Sequence, residues 1–306
     1  MILTVCPNPC VDCTIEVEEF KVGRLNRIDG IIENLSGKAL NTAIGIKRLG
    51  GEVFSTGFMF ETGGRRFIRY LSGEGIDNKF VWNKGRVRVN YKIIDGKSMM
   101  TEINDKGEFV SAKSQEDLIS IIEEYARKAE IVVISGSLPS GVDDRFYYDM
   151  VKACGKTKVI ADAETGKLKA ALDAGVFMVK PNLYELETFF SERYDGYEHM
   201  VDGCKKLIDL GAKRVMLSFG KEGSIFTDGE TSYFCKSESV AINSTVGAGD
   251  SMVAAASLAI SENATDEEVL KRAVAAATAS VTTAGTNLFT KEKYLEILNK
   301  LTVRKI

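Results

Sequence analysis

Histidine chemistry is nearly excluded from this chain, because its 306 residues include a single histidine, His199. One histidine cannot build a histidine metal cluster, and His199 reads as a residue of a surface helix. No apolar run reaches the 18 residues that a membrane-spanning helix needs. The first residues, Met1 to Val5, lack the basic segment and long apolar core of a signal peptide, so a cytoplasmic protein without a membrane partner is expected. Basic charge is not in surplus: 40 Lys and Arg stand against 43 Asp and Glu, for a net charge of −3, which argues against a nucleic-acid partner. Neither a P-loop nor a G-x-G-x-x-G run occurs. With four prolines there is no Pro-rich linker. The six cysteines are too few to require a disulfide framework. Three of them, Cys6, Cys10 and Cys13, have C-x3-C-x2-C spacing, which can hold three irons of a 4Fe–4S cluster. Against that, Cys13 falls in a segment that alternates like a strand.

What is present is a rhythm of short apolar runs and helical patterns, which favours a mostly parallel α/β sheet. Residues 131–134, 159–161, 177–179 and 214–217 lack polar alternation and read as strands covered on both faces. Helix-like stretches fall near 114–129, 143–154, 166–174, 198–210, 249–260, 265–283 and 290–299. Residues 11–20 and 86–103 instead alternate with a period of two. Such segments suit a half-exposed antiparallel sheet, here a small lid built from insertions at about 11–35 and 86–104.

Five Gly-containing or strand-end runs are candidates for chemistry. In Val246-Gly247-Ala248-Gly249-Asp250, two glycines precede an apolar helix. The glycines permit close backbone approach, and the N–H groups of a helix start attract an anion. Asp250 then serves as a base for a hydroxyl proton, or simply caps the helix. Ser36-Gly37-Lys38-Ala39-Leu40-Asn41 opens a second helix, with Lys38 and Asn41 on one face, able to hold sugar hydroxyls or a phosphate or merely to begin an amphipathic helix. Asn182 and Glu185 follow a buried strand, three apart; they orient water around Mg²⁺ or form a capping pair. Ser218, Gly220, Lys221, Glu222 and Gly223 form a strand-end loop at a sheet edge where α/β proteins place ligands, or a hairpin turn. Ser135 to Gly141, with Ser137, is a similar loop.

Taken in order, these runs resemble the PfkB (ribokinase-like) carbohydrate kinase family over nearly the whole chain. Asn243 to Ala256 is similar to its C-terminal signature. Ser36 to Gly51 is similar to its N-terminal one, with Ser36 and Ala39 where glycines are usual. Asn8 to Asp12, Arg88 to Lys92 and Thr101 to Asn104 resemble the branch that acts on hexose phosphates. The resemblance implies one domain over 1–306, a Rossmann-type mostly parallel sheet flanked by helices, and a β lid that pairs with a partner's in a homodimer. It implies ATP and Mg²⁺ as cofactors and a sugar phosphate as acceptor, fructose 1-phosphate first and tagatose 6-phosphate or another sugar as the alternative; the same fold also admits a non-catalytic sugar-binding regulator, against which Asp250 and its glycines argue. Asp250 would be the base, with the N–H groups of Gly247, Ala248 and Gly249 facing the transferred phosphoryl group. Asn182 and Glu185 would place Mg²⁺ through water, and Ser218 to Gly223 would line the nucleotide site. Asp12, Gly37, Lys38 and Asn41 would hold the sugar. Arg88 would take its remote phosphate, helped by Lys38, Arg27 and Ser137.

Overall fold

Apolar runs without polar alternation can be satisfied only between two layers, and here they form the centre of a ten-stranded sheet. The computed structural model describes residues 1–97, 99–283 and 288–306. Residue 98, within the second lid stretch, lies outside the described residues. The first third runs β1 (Ile2–Cys6), β2 (Cys10–Val17), β3 (Gly30–Ser36), α1 (Lys38–Arg48), β4 (Val53–Thr62), α2 (Gly64–Gly73), β5 (Asp77–Arg86), β6 (Arg88–Asp95) and β7 (Met100–Ile103). The middle runs α3 (Ala112–Ala126), β8 (Ile131–Ser135), α4 (Phe146–Ala153), β9 (Lys158–Asp162), α5 (Thr165–Ala174), β10 (Val176–Val179), α6 (Leu183–Phe190), α7 (Gly196–Asp209) and β11 (Ala212–Ser218). The last part runs β12 (Ser224–Thr227), β13 (Ser232–Cys235), α8 (Ala248–Ser261), α9 (Asp266–Ser280), α10 (Lys291–Leu298) and β14 (Val303–Lys305).

The large sheet has the order β14-β13-β12-β11-β10-β9-β8-β1-β4-β5. From β11 to β5 every pair is parallel. At the other end, β11, β12 and β13 pair antiparallel through short hairpins, and β14, from the end of the chain, pairs antiparallel with β13. Every residue of β1 and β8 is buried, as expected for parallel strands under helices. Helices α1 and α8 pack on β1, while α3, α4 and α5 pack on β4, β5, β8 and β9. The parallel strands β1, β8, β9, β10 and β11 are neighbours, so their carboxyl ends line one edge of the sheet.

The second sheet has the order β3-β2-β6-β7. It corrects the expectation of an antiparallel lid: β2 pairs with β6 in parallel, from Cys10↔Arg88 to Val17↔Asp95. The outer pairs, β2–β3 and β6–β7, are antiparallel. Polar and apolar residues alternate in either arrangement, so the pattern does not distinguish them. No helix among the described residues is long and apolar enough to cross a membrane.

Candidate active site

Two cavities open at the carboxyl edge of the large sheet and meet at the start of α8. One, of about 670 Å³, lies between that edge and the small sheet; Asp12, Gly37, Lys38, Asn41, Arg88, Ser137, Glu185, Gly247 and Asp250 are in its wall. The other, of about 640 Å³, has Ser218, Gly220, Lys221, Glu222 and Ala248 in its wall beside the apolar Val240, Ile242, Met252 and Val281. Asn182 and Gly249 line both. Two expected residues stand apart. Arg27 is exposed in the β2–β3 connection and lines neither cavity, because that connection runs outward from the small sheet. Gly223 also lines neither; it shapes the β11–β12 turn at φ 121°, where a Cβ would lie 2.3 Å from the carbonyl oxygen of Cys235. Ser218 to Gly223 is therefore both a hairpin turn and a cavity wall.

Asp250 is not the cap of α8. That position belongs to Gly247, at φ 82°, which turns the chain so that Asp250 falls in the first helical turn. Asp250 is buried, and its Oδ2 accepts a hydrogen bond from Asn41 Nδ2 at 2.8 Å. The next residue on α1, Thr42, donates to the Asp250 carbonyl oxygen at 3.4 Å. Close contact of the two helices makes this possible: a Cβ on Gly45 would come within 2.7 Å of the Ala254 methyl. Burial pushes the Asp250 carboxyl up to about 6, the neighbouring Asp162 pushes the same way, and Lys38, Asn41 and Lys180 pull it down.

Asp162, at the end of β9, is the hub of a buried network absent from the sequence reading. Lys38 Nζ lies 3.7 Å and Lys180 Nζ 3.4 Å from its carboxylate, and Ser135 Oγ donates to it at 3.2 Å. Burial alone would raise its pKa, but the two lysines and the Ser135 hydrogen bond outweigh that and hold it ionised below the usual range. Each member sits at a strand's carboxyl end or a helix start, so parallel pairing brings together residues far apart in the chain. A lone charged residue closing an apolar run was the available signal.

On the small sheet, Asp12 accepts from Asn90 Nδ2 at 3.2 Å and faces Lys92 at 3.6 Å. Arg88 is held differently. Its guanidinium donates to the carbonyl oxygens of Asn8 and Asp105 and to Asn90 Oδ1, all neutral acceptors. No carboxylate among the described residues lies within ion-pairing distance of it, whereas Arg86 two residues earlier pairs with Asp105. A fixed guanidinium without a carboxylate partner in a cavity wall has the chemistry to take an anion.

Asn182 and Glu185 form a complete capping box at the start of α6: Asn182 Oδ1 accepts from the Glu185 N–H and Glu185 Oε2 from the Asn182 N–H, both at 2.8 Å. Burial raises the pKa of Glu185. Among the described residues, no three His, Cys, Asp or Glu side chains cluster closely enough to hold a metal themselves. This donor set suits a cation that keeps most of its water and takes phosphate oxygens as ligands.

The cysteine spacing has no such role. Cys10 and Cys13 are three apart on β2 and so point to opposite faces of the small sheet. Burial also pushes the Cys6 thiol up to about 11, away from the thiolate a cluster needs. His199 is half-exposed on α7, 3.4 Å from Glu192.

A family model described as pfkB family carbohydrate kinase matches residues 7–293. The 1-phosphofructokinase of Bacillus subtilis (strain 168) is 31% identical, covering 100% of both chains. Phosphofructokinase-2 from Escherichia coli, solved in complex with fructose-6-phosphate, superposes with a TM-score of 0.87 at 26% identity over 98% of each chain. A possible 1-phosphofructokinase from Thermotoga maritima gives a TM-score of 0.87 at 26% identity over 100% of this chain and 99% of that one.

Proposed function

The chain belongs to the pfkB family of carbohydrate kinases, and from that premise we propose that it transfers the γ-phosphoryl group of ATP to fructose 1-phosphate, giving fructose 1,6-bisphosphate. The observation that carries the choice of a phosphosugar is Arg88, whose guanidinium is held by neutral acceptors in the same cavity as Asp250. An unphosphorylated sugar would leave that charge unused.

In this reading the sugar lies between the two sheets, its phosphate on Arg88 with Lys38 and Ser137 nearby. Asp12, Gly37 and Asn41 hold its hydroxyls. The adenine lies against the apolar wall of the second cavity and the triphosphate runs past Ser218 and Gly220 to Glu222 towards Gly249, where the two cavities join. Asp250 takes the proton of the attacking hydroxyl. The N–H groups of Gly247, Ala248 and Gly249 stabilise charge on the transferred group at the amino end of α8. Asn182 and Glu185 would hold Mg²⁺ through water, and the ion would supply neutralisation of the phosphate charge. Lys38, tied to Asp162, supplies a positive charge in the same cavity. Phosphoryl transfer needs this positioning and electrostatic support more than covalent help.

The chain acts as a single kinase domain in the cytoplasm, with the small sheet as its lid. It pairs with a second copy through the apolar face of that sheet, where Ile31, Tyr91 and Ile103 are 57%, 40% and 54% exposed. A coupled assay of ADP release over fructose 1-phosphate, fructose 6-phosphate, tagatose 6-phosphate, fructose and ribose tests the function. The highest kcat/KM is expected with fructose 1-phosphate. A preference for fructose or ribose would overturn the phosphosugar reading, and a preference for either 6-phosphate would move the acceptor within it.

A further inference from the structure

Ser36 stands where glycine is usual in the resemblance above, and its hydroxyl is placed to matter. It closes β3, is buried at 3% exposure, and lines the cavity that holds Asp250. Its Oγ accepts a hydrogen bond from Asn41 Nδ2 at 3.3 Å, and the same nitrogen donates to Asp250 Oδ2 at 2.8 Å. A primary amide has two N–H donors, and here one goes to each oxygen. With the amide reversed, its carbonyl oxygen would face the acceptor-only carboxylate and that bond would be lost, so Asp250 sets which end of the amide it meets. Ser36 accepts the second N–H of the amide so oriented, which steadies it against Asp250. Among the described residues no acceptor takes the Ser36 hydroxyl proton, which is left for a molecule in the cavity.

The backbone makes this linkage stiff. Between Ser36 and α1 lies only Gly37, at φ 147°, where a Cβ would come within 2.8 Å of Cys6 Sγ. Ser36 is in register with Cys10 of β2. The serine therefore joins the small sheet to the helix that grips Asp250.

We propose that Ser36 is a positioning residue for the phosphoryl-transfer step: it steadies the Asn41 amide against Asp250 by accepting its second N–H, and its own O–H donates a hydrogen bond to a hydroxyl of the acceptor sugar. A bound sugar then completes a chain from its own oxygen through Ser36 and Asn41 to Asp250. This rests on the reading of Asp250 as the base.

The test is a kinetic cycle with ATP and fructose 1-phosphate, or fructose 6-phosphate if the panel favours it. Ser36→Ala is expected to lower kcat and raise the sugar KM, each by about 3- to 10-fold, the scale of one hydrogen bond. The KM for ATP should stay within twofold, which also reports that the variant is folded. In an Asn41→Ala background, Ser36→Ala should no longer change kcat while still raising the sugar KM. Ser36→Gly, which removes the hydroxyl without adding bulk, should repeat the pattern if Ser36→Ala does not fold. An unchanged kcat in the single variants, or kcat losses that multiply in the double variant, would overturn the proposal. Asp250→Asn run alongside separates the two ideas: full turnover in that variant defeats the base assignment itself, whatever Ser36 does.

Discussion

A carboxylate buried between two lysines and a second carboxylate acts on stability as well as on chemistry. The Asp250 carboxyl is raised from 3.8 to about 6, so between those values the folded chain holds a proton that the unfolded chain has released. Folding therefore loses stability as pH rises through that window. Asp250→Asn is expected to raise the stability at pH 8 by about 1–3 kcal/mol in a denaturant titration, while lowering kcat by about 10²- to 10⁴-fold, the scale of one general base. In the unaltered enzyme, kcat at saturating substrates should fall as pH drops below about 6, because the base must be ionised to act. Near-normal turnover of Asp250→Asn, or a flat profile down to pH 5, would contradict the assignment. Arg88→Ala addresses the other end of the cavity. It should raise KM at least tenfold for phosphorylated sugars, as the loss of a charge-assisted contact implies, and leave KM for free fructose nearly unchanged. Equal effects on both would remove Arg88 from the phosphate.

Between elements, the decisive contact is α1 against α8. Asn41 and Thr42 hold Asp250 because Gly45, one turn on, lets Ala254 approach. Gly45→Val should push the helices apart, costing about 1–3 kcal/mol and lowering kcat along with stability. Gly45→Ala paired with Ala254→Gly should recover most of the activity that Gly45→Ala loses; no recovery would mean that this contact does not set the position of Asp250. Much of this level was legible in the sequence. The buried strands β8 to β11 announce themselves as apolar runs, and α8 as an apolar stretch behind two glycines. The network around Asp162 was not legible, because its members come from strands β8, β9 and β10 and from α1, and only parallel pairing brings them together. The β2–β6 pairing was missed for a related reason: the two strands are some 70 residues apart, and alternation carries no direction. The spacing marks Asn182 and Glu185 as partners, but sequence alone does not separate a capping box from a metal contact, and the geometry shows the capping box in full.

Across the whole molecule, the site is assembled from two sheets that share no strand. Asp250 and Asp162 come from the large sheet and its helices, while Asp12, Arg88 and Lys92 come from the small one. The relative position of the sheets is therefore part of the chemistry, and a partner that steadies the small sheet should raise activity. Ile31→Asp with Ile103→Asp places charge on its exposed apolar face. In analytical ultracentrifugation this variant is expected to sediment as a monomer, with the sugar KM raised more than the ATP KM. A variant that remains dimeric would place the interface elsewhere.

The alternation within β2 and β6 has one more consequence. Cys10, Asp12, Arg88, Asn90 and Lys92 face the cavity, and the residues between them, Val11, Cys13, Val89 and Tyr91, face away. Odd and even positions of one strand thus answer to different demands, so substitutions on one face leave the other free to change. Substrate preference and assembly can drift separately through point mutations, residue by residue along the same ribbon. A single-residue insertion or deletion inside either strand has no such freedom: it exchanges the two faces at once, and descendants of this gene should carry their length changes in the 18–29 connection rather than in the strands it joins.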